Sequence, residues 1–108
     1  MLSRAILSAA LVAAASAAAS PLRIDGLVAA VFSPFDKDSN LDLSVVPAQH
    51  AYLNATGVDW VFVGGTTGES LKLTKDERKD LNVAWIKAGS NVIAHCGAER
   101  YGPWHAHA

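Results

Sequence analysis

The chain is predicted to fold as an α/β unit of order β-α-β-α-β built on a parallel sheet. Three observations lead there. Short apolar runs rich in Val and Ala alternate with amphipathic stretches of helical period, glycine or proline stands at the junctions, and one apolar run opens directly into Gly64-Gly65-Thr66-Thr67-Gly68-Glu69-Ser70. Alternation of this kind implies right-handed crossovers between parallel strands.

The first strand is Gly26 to Phe32, a continuous apolar run suited to burial on both faces, and it ends at Ser33-Pro34. Asp36 to Asp42 is a polar turn. Ser44 is placed to cap a helix whose first turn holds Pro47, where a missing N–H costs little. That helix reaches about Asn54, with Val46, His50 and Leu53 at helical spacing and Gly57 as the stop. Val58 to Val63 is the second strand, followed by the glycine–threonine stretch. Thr74-Lys75-Asp76-Glu77 then reads as a capping box, in which the Thr hydroxyl and the Glu carboxylate satisfy open amides at a helix start. Leu81, Ala84, Trp85 and Ala88 recur at i, i+3, i+4 and i+7, giving one face that covers a sheet, and Gly89 closes the helix. Val92 to Cys96 is the third strand. The pattern suits either a doubly wound sheet or a (β/α)8 barrel.

An apolar share of 51% and a net charge of −1 over 108 residues describe one ordinary globular domain rather than a disordered chain. The charges are interspersed, without a basic block or stripe, so no nucleic-acid partner is expected. Cys96 is the single cysteine, which excludes an internal disulfide.

Residues 1–19 read as a targeting segment. Arg4 precedes an Ala, Ile, Leu and Val run from Ala5 to Ala19 interrupted only by Ser, and Ala17-Ala18-Ala19 before Ser20 fits an A-x-A cleavage site. The run is short for a membrane span, so secretion or the secretory pathway is expected, with no membrane association after the leader is removed. A mitochondrial transit peptide is the rival, because acidic residues are absent until Asp25 while Ser, Arg4 and Arg23 are present. An unusual N-terminal helix or a wrong start codon is the third reading and leaves a cytoplasmic chain.

The chemistry concentrates in the 64–70 stretch. Glycines let the backbone approach a ligand, and Thr hydroxyls add donors at fixed positions, which suits a carboxylate or phosphate. An ordinary Gly-rich strand-to-helix connection has the same composition. His95-Cys96 with His105 and His107 offers metal-ligand chemistry, but the spacing fits no zinc pattern, so no metal is assigned. Cys96 reads as a small buried hydrophobe. Asn54-Ala55-Thr56 is a glycosylation sequon that matters only if the chain is secreted.

Taken together, Gly26-Leu27-Val28-Ala29-Ala30, Ser33-Pro34-Phe35, Phe62-Val63, Gly65-Thr66-Thr67-Gly68-Glu69-Ser70, Glu77-Arg78 and Trp85 resemble the opening of the N-acetylneuraminate lyase and dihydrodipicolinate synthase family. The resemblance covers about Leu22 to Ala98, and GTTGE is its most specific part. The Leu27-Val28-Ala29-Ala30 start, the Phe62-Val63 lead-in and Glu77-Arg78 with Trp85 look most like the N-acetylneuraminate lyase branch. The resemblance selects the barrel. A full TIM barrel takes about 250 residues, so an incomplete β-α-β-α-β fragment is expected: residues 1–19 as leader, 22–98 as the N-terminal part of an aldolase-type barrel, and 99–108 as a divergent tail. That tail has neither helical nor strand periodicity, which a truncated gene model, an alternative transcript or a frameshift would produce.

In the resembled family a lysine on a later strand forms a Schiff base with pyruvate, a tyrosine relays protons, and the GTTGE loop holds the pyruvate carboxylate. By motif position Thr66 and Thr67 supply hydroxyl and amide donors, with Gly65 and Gly68 shaping the turn. Glu69 either orients the loop or simply faces solvent. Lys37, Lys72, Lys75, Lys79 and Lys87 fall in turns or on polar helix faces, and neither Tyr52 on a helix nor Tyr101 in the tail matches the strand-borne tyrosine. No catalytic residue and no cofactor is therefore assigned to this chain. The implied activity of a full-length form is cleavage of N-acetylneuraminate to N-acetylmannosamine and pyruvate, with dihydrodipicolinate synthase or 4-hydroxy-2-oxoglutarate aldolase chemistry as alternatives. The implied partner is a small 2-oxo acid or sialic acid, with a family-type homo-oligomer only at full length. The rival readings are a non-catalytic truncated fragment and a small non-barrel α/β anion-binding module.

Overall fold

The computed structural model describes residues 20–97. The expected leader at 1–19 and tail at 99–108, and with them Tyr101, His105 and His107, lie outside the described residues. The described elements are β1 (Val28–Ala30), α1 (Val46–Ala55), β2 (Trp60–Val63), α2 (Lys75–Ala88) and β3 (Asn91–Ala94), with 3-10 turns at Leu43–Val45 and Ser70–Lys72. The strands form one parallel sheet in the order β1-β2-β3, with Ala30 opposite Phe62 and Phe62 opposite Ile93.

Alternation along β2 decides what faces what. Val61 and Val63 are fully buried, whereas Trp60 and Phe62 on the opposite face are half-buried. The buried pair joins Val31, Val46, Leu73, Leu81 and Trp85 in one core, so both helices cover the same face of the sheet. Full burial of a side chain of this kind stabilises by about 1.5–3 kcal/mol relative to exposure.

The run at 26–32 is not buried on both faces. Ala29 and Val31 meet the core, but Val28 and Phe32 on the other face are 40% and 70% exposed, because among the described residues no further layer covers that side. The helix start at α1 also differs. Asp42, not Ser44, is the cap: its carboxylate accepts from the Ser44 amide at 3.1 Å and from the Ser44 hydroxyl, which starts a 3-10 turn that runs into α1 with Pro47 in the first turn. Asp reaches the amide two residues on, as in an Asx-turn, and the 3-10 entry leaves Ser44 inside the turn. Gly57, at φ +79, ends the helix region.

The capping box of α2 is present in full. The Glu77 amide donates to Thr74 Oγ1 at 3.1 Å and the Thr74 amide donates to Glu77 Oε2 at 2.7 Å. Leu81 and Trp85 are buried, Ala84 and Ala88 pack beside them, and Gly89 takes φ +106 at the end. β3 stops at Ala94, so Cys96 has left the sheet and is exposed rather than a buried hydrophobe. No described helix is long and apolar enough to cross a membrane.

Candidate functional site

The 64–70 loop leaves the C-terminal end of β2 and folds back on itself before α2 begins. Gly64 turns the chain at φ +73, a conformation that L side chains rarely adopt. Gly65 and Gly68 serve a different need. A Cβ at Gly65 would collide with the Phe62 ring, and one at Gly68 would stand 3.1 Å from Gly64 N and 3.2 Å from Val31 O. The expected turn-shaping by Gly65 and Gly68 is thus a matter of close approach, and the positive φ belongs to their neighbour.

Hydrogen bonds hold the loop in register. The Glu69 amide donates to Thr66 O at 3.0 Å and the Ser70 amide to Gly65 O at 3.3 Å. From the end of β1, the buried Ser33 hydroxyl donates to Gly68 O at 2.5 Å. Glu69 sits at φ 52, and its carboxylate accepts from Lys72 Nζ at 2.8 Å. Both side chains are largely exposed, so that ion pair contributes less than about 1 kcal/mol and serves to brace the loop rather than to stabilise the fold.

Thr66 and Thr67 stand at the tip, exposed. Among the described residues their hydroxyls and backbone amides have no hydrogen-bond partner, so four donors on adjacent residues are open at one strand end. A cavity of about 190 Å³ beside them is lined by Thr66, Glu69, Ser70, Leu71 and Lys72. A small carboxylate is within the chemical reach of such a cluster.

A larger cleft of about 450 Å³ lies along the open edge of β1 beside α1, lined in part by Ala30, Phe32, Tyr52, Leu53 and Trp85. It is mostly apolar, with neither Thr66 nor Thr67 in its lining. The five lysines are all exposed, in a turn, a 3-10 turn or on α2, and Tyr52 is exposed on α1. Among the described residues no three His, Cys, Asp or Glu side chains converge to hold a metal. Asn54 and Thr56 of the sequon stand at the end of α1, where the Thr56 hydroxyl donates to Leu53 O at 2.8 Å. Ser33 is the supporting residue that motif reading did not single out for the loop, since its partner lies 35 positions away.

The model of the dihydrodipicolinate synthetase family matches residues 23–101. The N-acetylneuraminate lyase of Danio rerio is 44% identical over 80 residues, covering 69% of this chain and 26% of that protein. The Homo sapiens N-acetylneuraminate lyase is 37% identical over 81 residues, covering 70% of this chain and 25% of that protein. Among solved structures, N-acetylneuraminate lyase from Proteus mirabilis matches with a TM-score of 0.68 and 35% identity, over 71% of this chain and 27% of its own. Dihydrodipicolinate synthase from Bacillus anthracis matches with a TM-score of 0.61 and 34% identity, over 65% of this chain and 25% of its own. The chain spans about a quarter of the length of these relatives. Their barrel architecture resolves the choice left by the element order: the β1-β2-β3 sheet, with both helices on one face, is a fragment of a (β/α)8 barrel and not of a doubly wound sheet. The matched stretch contains every described strand and helix and carries the 64–70 loop near its centre; the chain belongs to the dihydrodipicolinate synthetase family.

Proposed function

We propose that this chain contributes the carboxylate-binding part of a pyruvate-dependent Schiff-base lyase acting on N-acetylneuraminate. The observation that carries the reading is the pair Thr66 and Thr67, with open hydroxyl and amide donors at the C-terminal end of β2, the end of a barrel at which active sites assemble. Identity of 36–44% to vertebrate proteins named N-acetylneuraminate lyase favours that branch over the synthase.

In the proposed chemistry a lysine amine condenses with the C2 carbonyl of the 2-oxo acid and water leaves. The C4 hydroxyl gives up its proton and its oxygen becomes the aldehyde carbonyl as the C3–C4 electron pair moves into the protonated imine, which releases N-acetylmannosamine and leaves a proton for the enamine carbon. The resulting enamine is protonated and hydrolysed to pyruvate. This chain's part is to hold the carboxylate: charge-assisted hydrogen bonds from Thr66 and Thr67 fix the imine carbon relative to the bond that breaks. None of the five lysines is on a strand or desolvated, so the 108-residue chain by itself forms no imine. Incubation with pyruvate and borohydride followed by mass spectrometry tests this. The chain alone is expected to stay unmodified, whereas a barrel completed with a strand-borne lysine gains one pyruvyl adduct; a stoichiometric adduct on Lys37, Lys72, Lys75, Lys79 or Lys87 would overturn the assignment.

A further inference from the structure

Three side-chain and backbone contacts run from the loop after β3 to the carboxylate loop after β2. The His95 ring meets the Phe62 ring edge-on, with centroids 5.8 Å apart and an interplanar angle of 70°. Phe62 in turn fills the space that a Cβ at Gly65 would need, so its ring lies directly against the peptide that leads into Thr66. On the other side, a Cβ at Gly97 would stand 2.6 Å from His95 Cε1 and 2.7 Å from Nε2, so the Gly97 backbone closes over the imidazole. Both ends of this stack are anchored. The His95 amide donates to Val63 O at 3.0 Å, and Arg78 Nη1 on α2 donates to Gly97 O at 3.1 Å.

We propose that His95 is a positioning residue for the Thr66–Thr67 loop, acting through the Phe62 ring. Edge-to-face rings lock one another's orientation, and a locked Phe62 ring sets the height of the Gly65 peptide and hence the aim of the Thr66 amide. The imidazole works here as a ring rather than as a hydrogen-bonding group: its Nδ1 is buried and has no partner among the described residues, so no internal hydrogen bond at that atom explains a histidine. A side chain at Gly97 would meet the imidazole, which would have to shift within the stack. The effect on ligand binding rests on the carboxylate reading of the loop; the mechanical coupling does not.

Two variants separate the ring from its polarity without emptying the site. His95→Phe keeps a ring and loses the nitrogens; His95→Gln keeps polarity and length and loses the ring. In amide NMR spectra of the ligand-free protein, completed with the remaining strands of a related barrel, His95→Gln is expected to shift and broaden Gly65, Thr66 and Thr67, while His95→Phe leaves them near their wild-type positions. The Trp85 indole and Leu81 methyl signals report an intact core in both. A loop unmoved by His95→Gln, or restored by Gln and disturbed by Phe, overturns the proposal. Phe62→Leu supplies an independent check: its loop shifts and those of His95→Gln should not add in the double variant, and simple additivity also overturns the coupling. Pyruvate titration of the completed barrel is the second arm. His95→Gln should weaken the pyruvate-induced shifts of Thr66 and Thr67 by about tenfold in apparent Kd, as for one misaligned charge-assisted hydrogen bond. Wild-type resonances of the completed barrel that ignore pyruvate would remove the carboxylate reading, and the ligand-free comparison of the two variants would still decide the coupling.

Discussion

Thr67 is exposed, and neither its hydroxyl nor its amide has a partner among the described residues, so truncation removes a donor without opening a hole. In a form with the complete barrel, Thr67→Ala should reduce kcat/KM for N-acetylneuraminate by about 1.5–3 kcal/mol of binding, with thermal stability unchanged. Steady-state kinetics beside a melting curve reads both, and unaltered kinetics would take Thr67 out of the site. Ser33→Ala has the opposite signature. It leaves the Gly68 carbonyl buried without its donor, at a cost of about 1–3 kcal/mol, visible as a lower urea midpoint; a midpoint equal to wild type would mean that the bond adds nothing. The place of the Thr pair in the loop after β2 was legible in the sequence because the motif is local. Ser33 was not, because its bond spans 35 positions and no periodicity encodes it. Nor could composition assign the glycines: Gly64, Gly65 and Gly68 read alike, yet one supplies a positive φ and two supply clearance.

The elements differ in how far local chemistry fixes them. α2 was legible from end to end, because a capping box, an i, i+3, i+4, i+7 face and a terminal glycine all act within the helix itself. Thr74→Ala should therefore behave as a pure cap loss, with stability lower by about 1 kcal/mol and the loop signals of Thr66 and Thr67 unchanged; denaturant unfolding of the completed barrel paired with amide NMR checks it. A loss well above 2 kcal/mol would show that Thr74 does more than cap. α1 was legible in its body but not at its start, where Asp42 and Ser44 are both good caps and the 3-10 entry decides between them. The strands came out shorter than the apolar runs that predicted them. Hydrophobicity marks which residues seek burial, whereas strand ends depend on the neighbour's pairing, and β3 stops where Val63 is the last partner on β2. That is why Cys96, apolar in composition, stands outside the sheet.

At the scale of the molecule, periodicity gave an alternating α/β order but not the architecture. Three parallel strands in sequence with two helices on one face occur in both candidate folds, and only the GTTGE context, later matched by the family model, separates them. The same geometry governs stability. Among the described residues β1 and β3 each keep one unpaired edge, and the sheet face opposite the helices carries Val28 and Phe32 without cover. Tyr52, in the lining of the cleft beside α1, is also largely exposed. A parallel edge and apolar surface of this kind favour association over cooperative folding. Expressed alone, the 108-residue chain should therefore bind a hydrophobic dye, unfold over a broad range of urea from a low midpoint, and associate as concentration rises. Each trait follows from the open edges and the uncovered apolar face, so covering them should reverse all three together: linked to the remaining strands of a related barrel, the unit should lose dye binding and gain a sharp transition. A steep two-state transition of several kcal/mol in the isolated chain would show that three strands and two helices suffice, and would refute the dependence on a completed barrel.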